Sequence, residues 1–165
     1  MELSPLIARF RGPLIGLLHA WGAQPADAVE IAQDVFAEAY VGRDRFRGSW
    51  ENDGEVGAWL RGIAMNLHRS RSRKVGRTEP LGEREFEQPR EEPEPEAASE
   101  VRAAIDRLRG QWKTVLLMYY VEKSGLAEIA ALLGITERAV EGRLHRARNE
   151  LKARLAPERS PEGQA

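Results

Sequence analysis

"LAEIAALLGITERAVEGRLHRARNEL" (Leu126–Leu151) decides how the C-terminal part of the chain is read. Apolar residues recur at helical spacing over 126–133, stop at Gly134 and resume over a second helix, 136–155. Gly134 supplies the positive φ that a tight turn between two helices needs, and Thr136 is placed to cap the second helix. Ala130, a small residue, falls where the first helix must cross the second. Val140, Leu144, Ala147, Leu151 and Leu155 form the buried stripe of the second helix. Its other side carries Arg138, Glu141, Gly142, His145, Arg146 and Asn149, with Arg148 and Lys152 on the flank. With six Lys or Arg against three acids, this is a helix-turn-helix whose second helix suits phosphates and major-groove base edges. Glu141 is set either to orient Arg138 and His145 at three- and four-residue spacing or to accept a hydrogen bond from cytosine N4.

Upstream, the pattern stays helical. Leu3, Leu6, Ile7 and Phe10 form one stripe, and Leu14, Leu17, Leu18 and Trp21 form another. Gly12-Pro13 between them is expected to split or kink the helix. Asp27, after the turn Gly22–Asp27, is expected to cap a second helix bearing Ile31, Val35, Phe36, Ala39 and Tyr40 on one side. A third, after the loop Gly48–Glu55, aligns Val56, Trp59, Leu60, Ile63, Ala64 and Leu67. Near the C-terminal motif, Val101, Ile105 and Leu108 precede a break at Gly110, followed by Trp112, Val115, Leu116 and Tyr119. No stretch alternates with period two, so the fold class is all-α.

Between Arg77 and Glu100 lie nine Glu, three Arg and four Pro, with only Leu81 and Phe86 as large apolar residues. Such a segment cannot offset its ordering entropy by burial, and a flexible acidic linker spanning roughly 25 Å is expected. The chain therefore divides into a three- to four-helix domain (1–76), a linker (77–99), a helix-turn-helix domain (100–156) and a disordered tail (157–165).

Composition narrows the function. Charged residues make up 31% of the chain, yet the formal net charge is −1, because the charges are segregated along it. The absence of cysteine excludes disulfides and thiolate metal sites. No signal-like leader or run of roughly 20 apolar residues occurs, so a cytoplasmic protein without membrane insertion is expected. His19, His68 and His145 are scattered, and neither a phosphate-binding glycine loop nor a nucleophile motif is present. The expectation is no metal, no cofactor and no catalytic residue. "RDRFRGSW" (Arg43–Trp50) interleaves basic residues with Phe46 and Trp50, and the third helix ends in Arg69, Arg71, Arg73 and Lys74. Rings beside cations suit unpaired bases.

Taken together, "VEIAQDVFAEAY", "DRFRG", "AWLRGIAMN" and "AEIAALLGITERAVEGRLHRAR" in this order resemble the extracytoplasmic-function class of bacterial sigma factors, over roughly Leu6 to Leu155. The resemblance implies a factor that binds core RNA polymerase and promoter DNA and is held inactive by an anti-sigma factor. It assigns the polymerase clamp contact to Glu30, Gln33, Asp34 and Glu38. It assigns opening of the −10 element to Phe46, Arg47, Trp50, Arg61, Asn66, Arg69, Arg71 and Arg73. The C-terminal motif, with Thr136, Arg138, Glu141, Gly142, Arg143, His145 and Arg146, would read the −35 element. Three departures stand out. The loop between Phe46-Arg47-Gly48 and Trp59 is longer than the family pattern, Gly110 stands near where many members have a proline, and Glu141 replaces a basic residue. The rival is a stand-alone repressor or activator that dimerises through its N-terminal domain.

Overall fold

The computed structural model describes residues 1–78 and 95–156. The expected linker's acidic run, 79–94, and the expected disordered tail, 157–165, lie outside them. The described residues form seven α-helices: α1 (Leu3–Ala20), α2 (Pro25–Val41), α3 (Asp53–Thr78), α4 (Glu96–Asp106), α5 (Gly110–Leu116), α6 (Leu126–Leu133) and α7 (Glu137–Leu155). A 3₁₀ turn covers Arg43–Arg45, and a π-helical stretch, Leu117–Val121, continues α5. There is no strand among the described residues.

Of the split or kink expected at Gly12-Pro13, the split does not occur: helix α1 runs through Pro13. Pro13 costs the helix a hydrogen bond, a local penalty of about 3 kcal/mol. Against it stand Phe10, Leu14, Ile15, Leu17 and Leu18, each at most 3% exposed, and full burial of one such side chain stabilises by roughly 1.5–3 kcal/mol. Tertiary burial outweighs the local cost. The start of α2 also differs. Pro25 occupies its first turn and Gln24 its N-cap, so Asp27 lies inside the first turn rather than capping it. A proline there loses nothing, because that N–H has no partner within the helix, and Asp27 still faces the positive end of the dipole.

Helix α3 begins at Asp53, inside the expected loop, because the Asn52 side chain accepts from the backbone N–H groups of Gly54 (3.1 Å) and Glu55 (3.2 Å). At its other end it runs through to Thr78, and α4 begins at Glu96, so the helices extend into both ends of the expected linker. In the C-terminal half, Gly134 adopts φ 68° and Thr136 Oγ1 accepts from the N–H of Ala139 at 3.1 Å, as the turn and cap were read. Val140, Leu144 and Ala147 are buried, but Leu155 at the frayed end of α7 is 40% exposed. Val101, Tyr119 and Tyr40, expected on apolar stripes, are also exposed.

One core runs through both halves. Leu6, Phe10, Leu14, Val35, Val56 and Leu60 share it with Val115, Met118, Ile129, Leu132, Val140 and Leu144. Helix α1 packs on α2 and α3 and also on α5, the π-helical stretch and α6, while α3 lies along α6. A smaller cluster of Leu108, Leu116 and Ala147, flanked by Ile105, Trp112 and Leu151, holds α4 and α5 to α7. Thr136→Ala is expected to destabilise the fold by about 1 kcal/mol in urea unfolding, the usual cost of losing a helix cap. An unchanged midpoint would mean that α7 does not depend on this cap.

Candidate nucleic-acid and polymerase interfaces

The face of α7 opposite its buried stripe is open. Arg138, Glu141, His145, Arg146 and Asn149 are all exposed, with Gly142 and Arg143 partly so. The His145 ring nitrogen Nε2 and Asn149 Nδ2 are 3.1 Å apart. Glu141 has no hydrogen bond or ion pair, so neither Arg138 nor His145 is oriented by it, and both its oxygens are available to an incoming donor. A β-carbon at Gly142 would meet nothing within 4 Å. No packing contact therefore calls for a glycine there, and its small size matters only to something arriving from outside. Arg148 is turned away from the reading face: Nε donates to the Leu144 carbonyl at 3.3 Å, and the guanidinium lies 6.0 Å from the Tyr120 ring centroid.

In the N-terminal half, Phe46, Trp50 and Trp59 form one aromatic cluster. Ring centroids stand 4.3 Å apart for Phe46–Trp50, 5.0 Å for Phe46–Trp59 and 5.5 Å for Trp50–Trp59. The loop that delivers Trp50 is pinned by a 2.7 Å bond from the Ser49 N–H to Glu55 Oε2. Beside the cluster lies a cavity of about 230 Å³ lined by Glu38, Gly42, Arg45, Trp59, Ile63, Asn66 and Leu67. Trp59, Ile63 and Leu67 are half-buried and pack on the core while also lining this cavity. The sequence reading did not single out Arg45, although it lies in the same basic-aromatic run. Glu38, expected on the polymerase face, borders the same cavity.

The basic residues of α3 point in three directions. Asn66, Arg69 and Arg73 are exposed at steps of three and four, forming one stripe. Arg71 turns to α2, where Nη2 lies 2.9 Å from Glu30 Oε1 and 2.9 Å from Asp34 Oδ2. Arg61 crosses to the C-terminal half and donates to the Leu132 carbonyl at 2.9 Å. On α2, Glu30, Gln33 and Glu38 are exposed and Asp34 partly so. The hydrogen bond from Arg71, reinforced by its charge, holds the Glu30 carboxyl below its ordinary range, and the same bond raises the Arg71 guanidinium. No group of three or more His, Asp or Glu residues is arranged to hold a metal among the described residues. No described helix is long and apolar enough to cross a membrane.

Two family profiles match the chain: Sigma-70 region 2 over residues 6–78 and Sigma-70 region 4 over residues 98–151. The ECF RNA polymerase sigma factor SigM of Mycobacterium tuberculosis is 31% identical, over 84% of this chain and 70% of its own length. The chain belongs to the extracytoplasmic-function sigma factors. A longer relative, the ECF RNA polymerase sigma factor SigE of Mycolicibacterium smegmatis, is 28% identical over 84% of this chain, and the chain spans 56% of it. The solved structure of CnrH in complex with the cytosolic domain of CnrY covers 92% of this chain and 85% of its own, at 25% identity and a TM-score of 0.51. Sigma factors direct transcription initiation and are DNA-binding regulators rather than enzymes. In this sigma factor the region 2 match spans α1 to α3, and the region 4 match contains the helix-turn-helix.

Glu30 gives a test of the α2–α3 ion pairs. Its folded-state pKa is lowered, so the stabilisation from Arg71 is complete above the ordinary carboxylate range and is lost as pH falls through the lowered value. In Arg71→Ala, the Glu30 midpoint, followed by NMR of the side-chain carboxyl carbons, is expected to rise back to the ordinary range. A midpoint unchanged from the wild type would show that the pair does not persist in solution.

Proposed function

We propose that this sigma factor contacts core RNA polymerase through α2, opens the −10 element with the aromatic loop and α3, and reads the −35 element with α7. The observation that carries the residue assignment is the cavity beside Phe46, Trp50 and Trp59. Trp59, with Phe46 stacked against it at 5.0 Å, borders together with Asn66 and Arg45 one space large enough for a flipped base. A dimerising repressor has no use for such a space. In this reading Phe46, Arg47, Trp50, Asn66, Arg69 and Arg73 meet the separated strands, and Arg61 joins them when it is released from Leu132. Arg71 instead fixes Glu30 and Asp34, which with Gln33 and Glu38 form the polymerase face.

On α7, Arg138, Arg143 and Arg146 meet phosphates or guanines, Thr136 meets the backbone and His145 flanks the base contacts. Glu141, with both oxygens unengaged, accepts from a base edge, and Gly142 lets the helix approach closely. As the family resemblance implies, an anti-sigma factor is proposed as a further partner, and CnrH is itself solved in complex with a second protein, the cytosolic domain of CnrY. The protein acts in the cytoplasm, with no cofactor and no catalysis of its own, since the polymerase performs the chemistry.

The test mixes the purified protein with core polymerase and a promoter library. Stable complex formation and initiation at a two-part promoter are expected. Binding of a palindromic operator without polymerase, and no initiation with it, would replace this reading by the dimeric repressor. Arg146→Ala is expected to weaken −35 binding and to lower the salt slope by about 1 if the contact is to phosphate. Unchanged affinity and slope would remove Arg146 from the interface. Glu141→Ala is expected to lose preference at one base pair, by about 1–3 kcal/mol of discrimination. Uniform weakening at every position would instead mean that Glu141 orients its neighbours once DNA is bound.

A further inference from the structure

The N-terminus of α3 carries a helix cap whose acidic partner reaches further than a cap requires. Asn52 is the N-cap: its carbonyl accepts from the Val56 N–H at 3.0 Å, and its side chain accepts from the N–H groups of Gly54 and Glu55. Three residues on stands Glu55, the position from which a capping box returns an acceptor to the N-cap's own N–H. Here that N–H already donates to the Ser49 carbonyl at 3.0 Å. The Glu55 carboxylate passes it by and accepts from the Ser49 N–H at 2.7 Å. A carboxylate acceptor makes this a stronger bond than one between neutral groups. The same carboxylate presses on the residue before. A β-carbon at Gly48 would stand 2.6 Å from Glu55 Oε2 and 2.7 Å from Phe46 Cζ. No positive φ requires a glycine there. The need is for space, because residue 48 is held between the Phe46 ring and the Glu55 side chain. Phe46 and Trp50 sit at either end of this pinned run, their ring centroids 4.3 Å apart, and both rings meet Trp59. Glu55 and Trp59 stand four residues apart on α3, so they share one face. One turn of that helix takes the loop's backbone and the next takes its rings.

We propose that Glu55 is a positioning residue for capture of the flipped −10 base. By holding Ser49 it seats Trp50 and Phe46 against Trp59, the indole that borders the cavity. The inference rests on the assignment of that cavity to a flipped base. Glu55 does not line the cavity and acts only through the rings. A seated indole gives an incoming base a fixed surface to stack on. A surface ordered in the free protein needs no further ordering when the base arrives, which is how preorganisation favours binding. Without the bond to Glu55, Ser49 and Trp50 are free to leave Phe46, and the base meets rings that must first be ordered. Glu55 therefore serves the melting step, whereas contact with polymerase is left to α2.

The test uses holoenzyme reconstituted from core polymerase and this chain, on a promoter from the library carrying 2-aminopurine at each −10 position of one strand in turn. Fluorescence of this base rises when it leaves the stack. Glu55→Ala is expected to slow that rise about tenfold, the scale of one hydrogen bond to a charged group, while affinity for core polymerase stays at the wild-type value. Glu55→Gln keeps an acceptor for the Ser49 N–H and is expected to recover most of the rate. Gly48→Ala leaves Glu55 in place but puts a β-carbon between carboxylate and ring, and is expected to match Glu55→Ala. In the free protein, the near-ultraviolet circular dichroism of the ring cluster is expected to weaken in both alanine variants and to persist in Glu55→Gln. Far-ultraviolet spectra check that helix content is kept in all three. Base flipping at the wild-type rate in Glu55→Ala would overturn the proposal. So would a loss of polymerase affinity as large as the loss of rate, which a general weakening of α3 would produce. If no position gives a fluorescence rise in the wild type, the flipped-base assignment fails instead, and the near-ultraviolet signal alone decides whether Glu55 seats the rings.

Discussion

The second half of helix α1 has no face it can give to water. Six successive residues, Pro13 to Leu18, are buried, and six residues sweep well over one full turn of an α-helix. A helix that is apolar all round must be covered from every side. The N-terminal half supplies only part of that cover, through α2 and α3. The remainder comes from α5, the π-helical stretch and α6. This single requirement joins two family regions into one core and brings the helix-turn-helix against α3. The exposure of the reading face of α7 follows from the same arrangement, since α7 turns Val140 and Leu144 toward the shared core and Ala147 toward the smaller cluster.

Local chemistry was legible in the sequence because its causes are local. A glycine at the turn, a threonine three residues before the N–H it caps and a stripe at three- and four-residue steps each depend on neighbours in the chain. Gly134, Thr136, Val140, Leu144 and Ala147 fell where they were expected for that reason. The departures have long-range causes. Pro13 sits in a continuous helix because distant side chains bury its surroundings. Arg71 and Arg61 looked alike as basic residues of one helix, yet Arg71 meets acids on α2 and Arg61 meets a carbonyl 71 residues away. Spacing within α3 holds no information about either partner. Tyr40, Val101, Tyr119 and Leu155 were counted into apolar stripes that run past the edge of the packing.

Electrostatics divides α3 by the same logic. Its basic residues sort by which element faces them rather than by their order. Arg69 and Arg73 are exposed, while Asn66, also exposed, borders the cavity shared with α2 and the 3₁₀ turn. Arg71, set against Glu30 and Asp34 one helical turn apart, relieves the repulsion between those two carboxylates.

The π-helical stretch Leu117–Val121 affects the rest of the C-terminal half through phase. Here the N–H of Glu122 bonds back to the carbonyl of Leu117, five residues earlier, at 3.1 Å. One extra residue in a turn corresponds to about 100° of rotation around an α-helical axis. That offset turns Met118 inward against Gly16 and leaves Tyr119, Tyr120 and Val121 on the surface. The chain then turns through 122–125 into α6, and the place of α7 is set by its packing on α5 and α6. Tyr120, on the outward side of the wide turn, lies 6.0 Å from the Arg148 guanidinium of α7, so the stretch meets that helix at the surface as well as through the core.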